Sequence, residues 1–287
     1  MKEDIHKHIN QIINDQNKLG IPDFEGYSPM EMQFILYDTF GDKSPILLKK
    51  LADSEYQKIP IHNQIKFLAD LINNHGELKL TNKGFLPTKI VAEIYNQGFL
   101  KDEDIELGIS KLYKETDSMT IRLTRILLEL TGIAKKRNNK LSLTKIGQKT
   151  LNDNYQILRS IFTAFGTKFN WAYFDGYGEN YIGQLGFGFT LILLGKYGKN
   201  KRIDTFYADK YFKAYPNLIS DSKTPTFEII ERHAIKCYSL RTFDRFLDYF
   251  GLIKIEQAKN WNAEKYISNT ELYDQLIKCR PHKTQYS

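Results

Sequence analysis

The densest group of cationic side chains in this sequence surrounds a short polar turn. Four cations and two asparagines occupy six consecutive positions: Lys135, Lys136, Arg137, Asn138, Asn139 and Lys140. Asparagine tolerates positive φ, so two in succession permit the tight turn of a β-hairpin. Ammonium and guanidinium groups at such a tip can bind nucleic-acid phosphates. The pattern predicts a phosphate-contacting hairpin, with an ordinary solvated tip as the alternative.

A second basic run lies between Lys196 and Arg202 and contains Tyr197 and Gly198. Its cations at Lys199, Lys201 and Arg202 precede a predicted short strand, as phosphate-binding loops often do. A solvated loop is the alternative interpretation. We therefore predict phosphate contact at these three residues as well.

Metal-binding and nucleophile patterns are poorly developed. Cys237 and Cys279 form no CxxC pair, and the six histidines are scattered. Glu231, His233 and Cys237 lie close on a helix, but no oxyanion feature accompanies them. The segment 183–188 is rich in glycine, yet it lacks the preceding strand and the Lys-Ser/Thr ending of a phosphate loop. We predict no catalytic residue, metal or cofactor, although groups assembled from distant positions escape this reasoning.

The elements around the first basic cluster follow a defined order. Residues 59–152 predict, in sequence, a helix at 61–74, a strand at 78–80, a helix at 87–95, a helix at 118–130, strands at 133–137 and 140–144, and a closing helix. This order resembles the winged-helix superfamily. The resemblance is one of pattern and matches no signature of a particular family.

The resemblance implies how such a domain would contact DNA. In many winged helices the third helix enters the major groove while the hairpin touches the backbone or the minor groove. Applied to this sequence, it adds Arg122 and Arg125 to the candidate DNA contacts.

A similar order of elements recurs at 183–287, with helices at about 226–237 and 239–250, a hairpin at about 252–268 and a closing helix that starts at Thr270. Its third helix contributes Arg241 and Arg245 as candidate contacts. Asp244 and Asp248 lie among these arginines and can neutralise them through pairs three or four residues apart. The second copy is therefore the weaker DNA reader and the better candidate for holding a partner.

The remaining segments predict supporting roles. Residues 1–58 predict an N-terminal helical module, with isoleucines at helical spacing near its start, a Ser28-to-Glu31 capping box and a short helix after Ser44-Pro45. Residues 153–182 form an aromatic-rich connector whose Trp171 would suit a packed joint or a partner contact. Trp261, at the tip of the second hairpin, is the other candidate for partner binding.

Bulk properties bound the class of protein. The 287 residues carry a formal charge of +7 with 41% hydrophobic and 26% charged residues, which is typical of a globular chain with an anionic partner. The most apolar run, 185–194, is too short to span a bilayer, and the N-terminus shows no signal peptide. Two cysteines exclude a disulfide framework. We expect a cytoplasmic protein with no membrane partner.

The predicted fold class is mainly α with short β-hairpins (α+β), built as tandem winged-helix-like domains behind the helical module. The leading functional hypothesis is a non-enzymatic nucleic-acid-binding protein, with DNA favoured over RNA, such as a bacterial-type regulator or a mobile-element or defence accessory. A homodimer is a further expectation, since dimers read two half-sites. The alternative is a protein-interaction scaffold, and an enzyme is the third option.

Overall fold

A computed structural model describes residues 2–173, 175–219, 227–258 and 263–282. The fold is α+β, mainly helical with small antiparallel sheets. The helices are α1 (Lys2–Gln16), α2 (Pro29–Tyr37), α3 (Asp53–Tyr56), α4 (Pro60–His75), α5 (Thr88–Asn96), α6 (Glu103–Glu106), α7 (Met119–Leu130), α8 (Lys145–Thr150), α9 (Asn154–Thr167), α10 (Phe187–Tyr197), α11 (Asp204–Ala214), α12 (Phe227–Ser239) and α13 (Glu271–Leu276). The strands are β1 (Ile46–Leu48), β2 (Leu78–Lys79), β3 (Ala134–Arg137), β4 (Lys140–Leu143), β5 (Arg202–Ile203), β6 (Ile253–Gln257), β7 (Lys265–Asn269) and β8 (Ile277–Cys279).

The chain divides into two compact units. The central unit comprises residues 50–170 and 249–251, and the terminal unit comprises residues 1–49, 171–248 and 252–287. The central unit is therefore an insertion between two parts of the terminal unit.

The core of the central unit forms where α4 packs on α7 and both pack on α9. Ile65, Leu68 and Ile72 recur at helical spacing along α4 and are fully buried. Strands β2, β4 and β3 form an antiparallel sheet in that spatial order, so the first strand pairs with the second strand of the hairpin. Leu141 and Leu143 of β4 cover the core from the sheet side.

The terminal unit repeats this arrangement of strands and adds a second sheet. Strands β5, β7 and β6 pair in the same spatial order as β2, β4 and β3. The apolar helix α10 packs against α2, α11 and β8, and Leu191 to Leu194 are fully buried. Strand β1 pairs with β8, so Ile46 lies opposite Cys279 across the sheet.

The structure divides the chain into two units rather than the predicted four segments, and two of those segments are grouped differently. Residues 1–49 do not form a separate module, because Tyr27, Ile35 and Ile46 are buried in the terminal unit. The segment 153–182 is not one connector, because α9 belongs to the central unit whereas Trp171 belongs to the terminal unit. The short helix predicted after Pro45 is strand β1 instead, since pairing with β8 overrides local propensity.

One long helix replaces the two helices predicted at 226–237 and 239–250. Helix α12 continues directly into a π-helical segment, Leu240–Leu247. No glycine or proline lies between Phe227 and Leu247 to end the helix.

None of the helices within the described ranges is long and apolar enough to cross a membrane.

Candidate nucleic-acid interface

The predicted basic hairpin is present and exposed. Strands β3 and β4 pair from Ala134 with Leu143 to Arg137 with Lys140. Asn138 and Asn139 form the turn with φ of 51° and 54°, the left-handed region that a two-residue hairpin turn with the right twist requires. All six side chains from 135 to 140 are exposed to solvent.

A row of cations crosses the sheet at the base of this turn. Lys79 of β2 lies opposite Lys140 of β4, which in turn lies opposite Arg137 of β3. Directly opposed residues project from the same face of a sheet. Lys135, two residues before Arg137, projects from that face as well. We call Lys79, Lys135, Arg137 and Lys140 the basic face.

Like charges placed directly opposite each other destabilise a sheet. Lys140 pairs with Glu77, and both side chains are about half exposed, so this pair is weak. Among the residues that the structure describes, Lys79, Lys135 and Arg137 have no ion-pair partner. Within the described residues, the repulsion among the cations of the basic face is therefore offset by an ion pair at Lys140 alone.

Lys136 points to the opposite face of the sheet. Its Nζ donates a hydrogen bond to the carbonyl oxygen of Gly84 at 3.1 Å, and Gly84 adopts φ of 76°. A Cβ on residue 84 would lie 2.1 Å from that Nζ. Lys136 thus holds the loop after β2 against the hairpin, a structural role that differs from the phosphate contact predicted for it.

Helix α7, which the sequence predicted as the third helix of a winged-helix-like domain, offers few groups to a ligand. Arg125 is 8% exposed, and its Nε donates to Glu115 Oε1 at 2.7 Å while its Nη1 pairs with Glu129. The prediction of Arg125 as a DNA contact is wrong, because both carboxylates hold its guanidinium inside the unit. Arg122 is half-buried, with its guanidinium 5.9 Å from the centre of the Phe85 ring. Of the two DNA contacts that the sequence predicted on helix α7, Arg122 is therefore the one that remains a candidate.

The arginines of the terminal unit are not presented as predicted either. Arg241 is 1% exposed, and its Nε pairs with Asp175 Oδ2 at 2.5 Å. Its Nη atoms donate to the carbonyl oxygens of Gly178, Asn180 and Ile182. Arg241 therefore anchors the loop before α10 and is excluded as a DNA contact.

Arg245 is half-buried and donates from Nη1 to the carbonyl oxygen of Tyr173 at 3.2 Å. The same loop is thus held by two arginines one turn of the long helix apart. This use of both side chains corrects their predicted role as groove-reading residues.

The second basic run is exposed but partly neutralised. Lys199, Lys201 and Arg202 are all exposed. Lys201 pairs with Glu256, and the Arg202 guanidinium lies 5.1 Å from the centre of the Phe206 ring. Across the sheet of the terminal unit, Ile203, Tyr266 and Glu256 lie in one row. Within their described residues, the paired strands β5, β7 and β6 form no row of cations like that of the central unit.

Trp171 and Trp261 were both predicted to bind a partner, and the structure bears on the first of them. Trp171 is 3% exposed, and its ring centre lies 4.7 Å from that of Phe246. It is a core residue of the terminal unit, which contradicts its prediction as a partner-binding residue. Trp261 lies outside the described residues.

Sequence reasoning missed a polar network in a cleft of about 670 Å³ in the terminal unit. The Ser239 hydroxyl donates to Asp204 Oδ2 at 2.6 Å. Lys265 Nζ donates to Ser239 Oγ at 3.1 Å and to Asp244 Oδ2 at 2.5 Å. Burial raises the pKa of Asp244, and the neighbouring Lys265 lowers it in part. No local signal could reveal this network, because α11, the long helix and β7 each supply part of it.

The network does not resemble an activated nucleophile. The Ser239 hydroxyl donates to Asp204, and Lys265 donates to Ser239, so Lys265 is not placed to accept the Ser239 proton. The nearby Cys237 is buried, and burial raises the pKa of its thiol to about 12, which keeps it protonated and unreactive. Over the described part of the chain, no group of three or more His, Cys, Asp or Glu side chains could hold a metal ion.

Residues 57–156 match the family model of the Y4jL N-terminal domain. This range lies within the central unit and includes all four residues of the basic face. No curated protein and no solved structure matches the chain.

Proposed function

We propose that the protein binds nucleic acid, with DNA as the favoured ligand, through the basic face of the central unit. The observation that carries the proposal is the row of Lys79, Lys140 and Arg137 across three strands. Such a row costs stability in the free protein and would be compensated by phosphates. The formal charge of +7 adds long-range attraction for a polyanion.

We also propose that both units are winged-helix-like. The support is the order of helix, strand, helices and hairpin, together with the sheet order in which the first strand pairs with the last. On this proposal the hairpin of the central unit is the wing. The wing dominates binding, because α7 buries most of its surface in the unit.

Contact through the wing implies a mainly sequence-independent ligand preference. Phosphate contacts position a protein on DNA without reading bases, whereas base readout requires side chains inserted in a groove. Only Arg122 remains on α7 as a predicted base contact. We therefore expect modest discrimination between sequences and a strong dependence on salt.

The test is fluorescence anisotropy of a labelled DNA duplex with the full chain over a series of salt concentrations. The double variant Lys79→Gln/Arg137→Gln should bind several-fold more weakly. The slope of log affinity against log salt should fall by about one unit for each phosphate contact removed. Because opposed like charges are removed, the thermal unfolding midpoint should stay level or rise.

A matched control separates this local effect from loss of net charge. Lys213→Gln/Lys254→Gln removes two exposed cations from the terminal unit and should leave the salt slope near that of the wild type. Equal weakening by both double variants, or no salt-sensitive binding of the wild type, would contradict the proposal.

A second candidate function is a protein-interaction scaffold. Leu107, Ile109 and Tyr113, in the segment between α6 and α7, are 63%, 73% and 63% exposed. Three large apolar side chains exposed within seven residues favour a contact site for another protein. Replacing all three by serine should leave DNA affinity unchanged, and loss of a co-purifying partner in that variant would favour the scaffold.

A further inference from the structure

Helix α1 carries an apolar stripe that the terminal unit does not cover. Every side chain from 5 to 20 is exposed. Ile5, Ile9, Ile12 and Ile13 are 55%, 46%, 45% and 48% exposed. Side chains at these spacings lie on one face of a helix. An isolated helix of this length is marginally stable in water, and helices normally gain stability by packing such a face.

The stripe is self-complementary under two-fold symmetry. Ile5, Ile9 and Ile13 are spaced four residues apart, so their arrangement is the same when read from either end. An antiparallel copy would place Ile9 against Ile9 and Ile5 against Ile13. An interface of this kind is isologous, using the same patch on both subunits. Antiparallel packing also opposes the two helix dipoles.

The charge of helix α1 argues against an anionic lipid surface or a nucleic acid as the ligand of the stripe. Residues 5–16 contain one lysine, Lys7, and one aspartate, Asp15, so this stretch is neutral with neutral histidines. Helices that bind anionic lipid surfaces are rich in lysine and arginine on the polar face, and phosphate binding needs cations as well. Because the stretch 5–16 has no net charge, two copies can approach along it without strong repulsion.

We propose that two copies of the chain associate through antiparallel pairing of their α1 helices, with Ile9 facing Ile9 across the two-fold axis. This proposal is independent of the proposed function. Four half-exposed isoleucines offer on the order of 300–400 Å² of apolar surface per copy, which is comparable with the largest apolar patch on a typical monomer, a patch that is often functional. The total falls short of the roughly 1,200–2,000 Å² of stable interfaces. The dimer should therefore be weak, with dissociation in the micromolar range or above.

Sedimentation velocity over a wide concentration range tests association. The wild-type chain should shift from monomer toward dimer as concentration rises, and Ile9→Glu should remain monomeric throughout. Gln11→Glu, which adds the same charge on the opposite side of α1, should dimerise like the wild type. A wild type that stays monomeric at every concentration, or a dimer unaffected by Ile9→Glu, overturns the proposal.

Cysteine cross-linking of the full chain tests the geometry. With copper phenanthroline as oxidant, Ile9→Cys should form a covalent dimer through the two introduced thiols. Ile5→Cys alone should not, whereas a mixture of Ile5→Cys and Ile13→Cys should. The wild type supplies the background from Cys237 and Cys279. A parallel pairing would cross-link Ile5→Cys with itself, and that result would overturn the antiparallel arrangement.

Discussion

The side chain of Arg241 in the terminal unit is buried and has several hydrogen-bond partners. Arg241 donates to Asp175 and to three carbonyl oxygens, and neither Arg241 nor Asp175 exposes its side chain. Removing one member of such a pair leaves the other charge buried without compensation. The energetic role of Arg241 is therefore to keep the loop before α10 in place.

Arg241→Ala should lower the free energy of unfolding of the terminal unit by about 3–5 kcal/mol, because Asp175 loses its counter-charge. Urea unfolding followed by Trp171 fluorescence in a Trp261→Phe background measures this, since the central unit contains no tryptophan. Arg137→Ala, at an exposed position, is the control and should change stability by about 0.5 kcal/mol or less. Equal stability of the two variants would contradict the assignment.

His62 gives the central unit a dependence on pH. It is 1% exposed, and its ring lies against that of Tyr56. Burial lowers the pKa of His62 to about 4, against the ordinary value of 6.5, while a hydrogen bond with Asn63 opposes the shift. The unfolded chain therefore binds a proton more readily than the folded one. The stability contributed by neutral His62 is complete above pH 6.5 and declines as the pH falls toward 4.

At pH 5 this linkage should cost about 2 kcal/mol of unfolding free energy relative to neutral pH. Circular dichroism of urea unfolding at several pH values measures it. His62→Gln should remove this part of the pH dependence, whatever its effect on stability at neutral pH. Parallel pH profiles for wild type and variant would show that His62 is not the titrating group.

At the scale of elements, the hairpin of the central unit depends on the backbone of its turn. Asn138 and Asn139 hold φ of 51° and 54°, and the carbonyl oxygen of Asn139 accepts a hydrogen bond from the Leu80 amide at 2.7 Å. The turn thus fixes both the hairpin register and the attachment of β2. The row of cations exists only while this register is kept.

Asn139→Gly should leave the thermal unfolding midpoint level or raise it, because Asn-Gly suits this turn type best. Asn138→Val should lower stability by roughly 1–2 kcal/mol, because a branched side chain resists positive φ. Ser142→Val, at an extended position of β4, is the matched control and should be tolerated. A stable Asn138→Val variant would argue against this turn geometry.

Local patterns in the sequence predicted the positions of helices and turns better than they predicted which strands and side chains contact each other. The paired asparagines were sufficient to place the hairpin, and Ser28 with Glu31 placed the start of α2, because caps and turns are decided by neighbouring residues. Lys79 escaped prediction as part of the basic face, because alternation directs it outward but does not reveal which strand lies beside it. Arg122 and Arg125 illustrate the same limit, since Glu115, the inward partner of Arg125, belongs to a separate element.

At the scale of the whole molecule, the first 49 residues have two distinct roles. Residues 5–20 are exposed, whereas Ile35 and Ile46 are fully buried in the terminal unit. Glu25 also binds Lys210 of α11 at 2.6 Å and Tyr197 of α10 at 2.6 Å. The segment after residue 20 is therefore part of the core that α10 and α11 build.

Deleting residues 2–19 should leave unfolding of the terminal unit unchanged, because the side chains of residues 5–19 are all exposed. Deleting residues 2–49 should unfold that unit, since β8 loses its partner strand and α10 loses α2. Trp171 fluorescence in the Trp261→Phe background reports both outcomes. A native-like spectrum after the longer deletion would contradict the pairing of β1 with β8.

The pairing of β1 with β8 also determines the order in which the two units can fold during translation. Ile46 leaves the ribosome long before Cys279, its partner across the sheet, and domains emerging from the ribosome fold as their residues become available. Most of the central unit has left the ribosome once residue 170 has emerged. The unit can therefore fold before β8, the partner strand of β1, has been synthesised. The apolar side chains of residues 21–49 must then stay unburied during synthesis of the second half. A nascent chain of this design would be a client for chaperones that shield exposed apolar segments, and slow translation beyond residue 170 would lengthen that exposure.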